Sequence, residues 1–154
     1  MSRSDGRAAN GGRQVENEPA VLDAIRDLLA ERGRGETLHI FNREEHATLD
    51  DLVNYLSTNV SAIVGPHGGA LMNHRFAGPN VLMVEFMPAS RLAWINYEEV
   101  SMLNQTYAVV IAPTVGEDGK HNMVVPPDQV VLLLSEHLGK ESRPPGTSYD
   151  WDQE

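Results

Sequence analysis

The stretch from Ser61 to Asn73 constrains this chain more than any other. Ala62-Ile63-Val64 is a short apolar run that stops at Gly65-Pro66. Proline has no N–H and cannot extend a ladder, so the run reads as a buried parallel strand closed by a tight turn. His67, the pair Gly68-Gly69 and then Ala70-Leu71-Met72 follow, as a helix start. The glycines let other atoms approach the backbone, and the helix start leaves N–H groups at the positive end of a dipole. That combination is a ready anion site. Twelve residues past Asn73, Glu85 ends a second apolar run, Val81 to Val84. A diphosphate at the glycines and a ribose on that carboxylate make a nucleotide site.

The flanks repeat the alternation of strand and helix. Asn17-Glu18-Pro19 opens a helix with a capping residue, an acid in the first turn and proline at an allowed position. Val21, Leu22, Ile25, Leu28 and Leu29 share one face, and Gly33 and Gly35 end it. Residues 38–41, Leu-His-Ile-Phe, read as a short strand. Thr48 caps a second helix with Asp50 and Asp51 in its first turn, a stripe of Leu49, Leu52, Val53 and Leu56, and Asn59 as a left-handed terminator. Gly78-Pro79 stops the central helix, and residues 81–86 are the next strand. A mixed helix over 91–104, a buried strand over 107–111 closed by Pro113, and a polar turn over 116–120 come next. A short extension at 123–125 leads to a last helix begun by Pro126-Pro127-Asp128 and ended by Gly139. This order predicts an α/β fold, a Rossmann-like parallel sheet with helices on both faces. Ligands of such sheets sit beyond the carboxyl ends of the strands, where His67, Glu85 and Arg43 are expected to share a rim.

Residues 1–16 are rich in Ser, Gly, Asn and Arg, and on composition alone read as a disordered tail. Residues 17–139 form the lobe, and 140–154 a flexible acidic tail. A length of 154 residues suits one domain with a real core. A net charge of −10 argues against a nucleic-acid or anionic-membrane surface. The chain has no cysteine, hence no disulfide and no thiolate metal site. No apolar run approaches the roughly 20 residues of a membrane span.

Other chemistries fit these residues less well. His67-Gly68-Gly69-Ala70 resembles an esterase oxyanion loop, but the chain has no Gly-x-Ser-x-Gly elbow. His67 and His74 lack a third ligand at a convincing spacing, so no metal is expected. Asn73 is placed to pack or cap locally, Phe76 to join the core, and Arg43, beside Glu44 and Glu45, to lie on the surface. A carboxylate is costly to bury unpaired, so Glu85 is either solvated at a strand end or a ribose acceptor. Two glycan-acceptor patterns, at Asn59 and Asn104, carry little weight.

On these residues the chain resembles the carboxyl-terminal lobe of glycosyltransferase family 61. The family pattern runs from an apolar strand through Gly-x-His-Gly-Ala-x-Leu-x-Asn and a Phe to a strand carrying Glu. Gly65, His67, Gly68, Leu71, Asn73, Phe76 and Glu85 fit it in order. Gly69 stands where the family has Ala, and Ala70 follows. Ser2-Arg3 and the segment Arg13 to Glu18 resemble the family's Ser-Arg strand end and its Arg-aliphatic-Asn-Glu helix start, with a longer Gly-rich loop between. The match extends over residues 2 to about 112. It implies that residues 1–16 are a truncated strand and loop, and that this is a fragment lacking a first strand and an amino-terminal lobe.

The resemblance implies one lobe of a GT-B glycosyltransferase that moves a sugar from UDP to a glycan or protein hydroxyl, with inversion. It implies a UDP-sugar donor, no metal and no other cofactor, and the lumen of the Golgi or endoplasmic reticulum, with a membrane anchor only in a full-length parent. It assigns Gly65, His67, Gly68, Gly69, Asn73, Glu85, Arg3 and Arg13 to the donor. The diphosphate lies over Gly68 and Gly69, the ribose on Glu85, and His67 near the phosphate or sugar as the one catalytic candidate. The alternative from another class is a non-catalytic α/β nucleotide-binding or scaffold module. A third is a doubly wound enzyme of another nucleotide.

Overall fold

Caps and apolar spacing place the helices where local chemistry favours them. The first, α1, is Glu18–Arg32; Pro19 sits in its first turn, and Gly33, at φ 58°, closes it with an N–H to the Leu29 carbonyl. Asn17 does not cap it. Its side-chain amide instead pairs with the backbone of Val125, donating at 2.8 Å and accepting at 2.9 Å. The second, α2, is Leu49–Asn59, begun by a reciprocal capping box between Thr48 and Asp51. It ends on an extended Val60, so Asn59 is not a left-handed terminator. The computed structural model describes residues 13–116 and 121–141.

Three strands form a parallel sheet: β1, Ala62–Pro66; β2, Leu82–Pro88; and β3, Thr106–Ala112, in the order β1-β2-β3. Gly65 lies opposite Glu85, and Glu85 opposite Val109. The sheet has helices on both faces, and this α/β architecture is compatible with a Rossmann-like fold. Alternation along the strands builds two cores. Leu82, Val84 and Phe86 of β2 and Ala108, Val110 and Ala112 of β3 pack with α1 and with the last helix. On the other face Ile63, Val81 and Met83 pack with Leu71 and Val100. Leu71 belongs to a 3-10 helix, Gly69–Phe76, and Val100 to α3, Ile95–Met102. A two-residue antiparallel pair, β4 Thr114–Val115 with β5 Asn122–Met123, precedes α4, Pro127–His137. Val15 bridges to Met123, so residues 13–17 run along 122–125 as part of the lobe.

Four expectations need correction. Residues 38–41 are not a strand; they run beside β1 without a ladder. The central turn leads into a 3-10 helix rather than an α-helix. Phe76 is 36% exposed and lies outside both cores. In β3, Val109 and Ile111 are exposed, so that strand is buried on one face only. Arg3, residues 1–12, the turn 117–120, the tail 142–154 and the side chain of Arg43 lie outside what is described.

Candidate functional site

The carboxyl end of β1 delivers the glycine turn to the rim of the sheet. The His67 amide still donates to the Phe86 carbonyl at 2.8 Å, so the ladder persists one residue past Pro66. Gly65 is buried against β2. Gly68 is buried, whereas Gly69 and Ala70 are exposed. A Cβ built on Gly69 meets no heavy atom within 4 Å. The first turn closes with the Leu71 amide on the Gly68 carbonyl at 2.9 Å. The N–H groups of Gly69 and Ala70 precede that bond, as the leading amides of a helix do. Asn73 donates to the Ala70 carbonyl at 3.0 Å, a local bond within the helix.

Glu85 lies in the middle of β2, not at its end, and its side chain is completely buried on the face carrying Met83. Three side chains hold it. His67 Nδ1 lies 2.5 Å from Oε1, Asn96 Nδ2 donates to the same oxygen at 2.6 Å, and the Tyr107 hydroxyl donates to Oε2 at 2.6 Å. No oxygen of Glu85 faces solvent, so a ribose held directly on it requires this cluster to open. The carboxylate escapes the penalty of burial by internal bonds instead. Burial first, and donation to Glu85 second, push the Tyr107 phenol above its ordinary value.

His67, its side chain 12% exposed, is the member of this cluster that leads into the glycine turn, and Tyr107 is half-buried as well. His67 Nδ1 faces Glu85 Oε1, and which of the two carries the hydrogen follows the ring tautomer. Nε2 is then the atom left for anything bound at the turn. Nothing local in the sequence signals Asn96 or Tyr107, which arrive from α3 and β3. The one visible hint is an acid inside an apolar strand.

A second buried histidine supports the turn from behind. His74 Nδ1 pairs with Gln105 Oε1 at 3.1 Å, and Gln105 Nε2 lies within 3.0–3.2 Å of the carbonyls of His74, Ala77 and Gly78. His74 Nε2 is 3.4 Å from Glu99, an electrostatic contact without hydrogen-bond geometry. Arg75 grips Glu99 with two nitrogens and holds its carboxyl below the ordinary value. These contacts pin the 3-10 helix to α3. His74 is therefore a structural group, turned away from any pairing with His67.

The same rim carries a hydroxyl cluster beyond β2 and β3. Ser90 Oγ is 2.8 Å from His121 Nδ1 and from Thr114 Oγ1. Arg13 is buried, at φ 68°, in the segment that Gln14 pins to Asn122. A hollow of about 430 Å³ lies elsewhere, between α1, α4, β1 and residues 34–41. Gly65 and Pro66 line it, and His67, Gly68 and Gly69 do not. Among the described residues no three His, Asp or Glu side chains converge as a metal site would require. Among them, too, no helix is long and apolar enough to cross a membrane.

In comparison with protein families, the model described as Glycosyltransferase 61 matches residues 1–84. The matched segment contains α1, α2, β1, the glycine turn and the 3-10 helix, and stops one residue before Glu85. No curated protein and no solved structure matches. More than half of the chain lies within the match, glycine turn included, and the chain belongs to glycosyltransferase family 61.

Proposed function

We propose that this lobe binds a UDP-sugar, and that the protein transfers the sugar with inversion to a glycan or protein hydroxyl. The observation that carries the reading is the exposed turn at Gly69 and Ala70. It lies at the carboxyl end of a parallel strand and inside the segment that matches the family. In this reading the amides of Gly69 and Ala70 take the diphosphate, with Gly68 and Gly65 bringing the backbone close. His67 lies beside the phosphate or sugar. Fixed dipoles and basic side chains would neutralise the leaving group, an electrostatic task that needs no metal. Arg3 and Arg13 are assigned to the diphosphate by resemblance alone. The acceptor and the catalytic base belong to a second lobe of GT-B type, and the setting is the lumen of the Golgi or endoplasmic reticulum.

Calorimetry with UDP, UMP and ADP tests the binding step. The reading expects UDP to bind more tightly than UMP, because the diphosphate makes the contacts, and more tightly than ADP. Equal binding of ADP and UDP favours another nucleotide. Sugar release from a panel of UDP-sugars, with candidate acceptors, tests the transfer. A lobe that holds UDP but supports no transfer in any longer form of the protein is a binding module.

A further inference from the structure

The cluster around Glu85 is too elaborate for a structural filler. The core on its side of the sheet is apolar, formed by Ile63, Leu71, Val81, Met83 and Val100. A buried acid in such a place is commonly no more stabilising than an apolar residue of the same volume. Asn96 adds a second anomaly. It is 1% exposed and spends Nδ2 on Glu85, while its Oδ1 has no hydrogen-bond partner. A buried acceptor left unmatched is rare and costly and calls for an explanation. Asn96 Nδ2 and His67 Nδ1 meet on the same Glu85 oxygen, and the His67 ring continues into the glycine turn.

Building on the donor site proposed above, we propose that Glu85, Asn96 and Tyr107 are positioning residues that act through His67. Together they fix the ring with its Nδ1–H on Glu85, so that Nε2 is the atom that meets an oxygen of the bound nucleotide-sugar. Glu85 itself touches no ligand. Asn96 and Tyr107 hold the two Glu85 oxygens from α3 and β3, which sets the carboxylate plane and hence the ring. A ligand at Gly69 and Ala70 would then meet a ring already oriented, with no rotamer to freeze on binding. This arrangement follows the way a ring nitrogen is selected by the hydrogen bond its partner makes.

The test combines ring 15N NMR of the labelled protein with UDP calorimetry. The free protein is expected to show His67 hydrogenated at Nδ1, and Glu85→Gln to populate the other tautomer. His67→Ala and Glu85→Gln should each weaken UDP binding about tenfold or more. The double variant should bind within twofold of His67→Ala, since Glu85 has no ligand contact of its own to lose. Losses that multiply in the double variant would overturn the proposal, because Glu85 would then reach the ligand directly. An unchanged tautomer and affinity in Glu85→Gln would overturn it too, leaving a structural staple. If Glu85→Gln does not fold, Tyr107→Phe decides: a loss of UDP affinity that disappears once His67 is Ala supports positioning, and an equal loss in both backgrounds contradicts it. The tautomer is read without ligand, so a protein that binds no UDP tells against the donor reading, while a ring hydrogenated at Nε2 tells against the hold of Glu85 on His67.

Discussion

Tyr107 reaches Glu85 on the diagonal of the β2–β3 ladder, where Tyr107 opposes Met83 and Glu85 opposes Val109. One phenol thereby ties an edge strand to the acid at the centre of the sheet. The bond exists because both residues fall on the face that α3 covers only in part.

That relationship gives a pH dependence with a definite sign. The folded protein holds the Tyr107 phenol above its ordinary value of 10.0, so its stabilising contribution is complete below that pH. It is lost as the pH rises from about 10 towards the folded value. Urea unfolding at rising pH should show the midpoint falling above about pH 10, with a flatter fall in Tyr107→Phe. Near neutral pH the same variant should lose about 2 kcal/mol, the worth of a hydrogen bond to a buried charged group. Identical alkaline slopes in the two proteins would contradict this.

Gln105 closes the loop after the 3-10 helix from inside the protein, facing three carbonyls and one imidazole nitrogen. Gln105→Leu removes the side-chain donor from these carbonyls and the acceptor that faces His74. The expected loss is about 3 kcal/mol, read from chemical denaturation. A loss below about 0.5 kcal/mol would mean that water replaces the amide.

Leu71 is the apolar anchor beneath the glycine turn, fully buried among Ile63, Val81, Met83 and Val100. Leu71→Ala should cost roughly 2–5 kcal/mol. Because the same residue seats the exposed amides, hydrogen exchange should accelerate first over residues 69–76. Uniform acceleration across the lobe would show instead that the turn has no local stability of its own.

Much of this fold is legible in the sequence because it is local. The Thr48–Asp51 capping box, Gly33 after α1 and the apolar runs of β2 and β3 each announce themselves within a few residues. Residues 38–41 misled because a strand is defined by its partner, and this segment has none, however suitable its side chains. Phe76 misled because an aromatic side chain suggests burial, whereas five residues past Leu71 it falls off the core face in α and 3-10 geometry alike. The glycine turn was visible as a motif. The partners of Glu85 were not, since Asn96 and Tyr107 stand 11 and 22 residues away, one brought in by α3 and the other by the parallel register.

The central claim is that the exposed amides of Gly69 and Ala70 hold the diphosphate of the donor. Ala70→Asp tests it most directly. Position 70 is exposed, so the substitution should change folding stability by no more than about 0.5 kcal/mol, while its charge repels a phosphate at the turn. UDP titrated calorimetrically into both proteins should bind the variant at least tenfold more weakly at low salt, with the gap narrowing as salt is added. Equal affinity in two equally folded proteins would contradict the account and move the diphosphate away from the glycine turn.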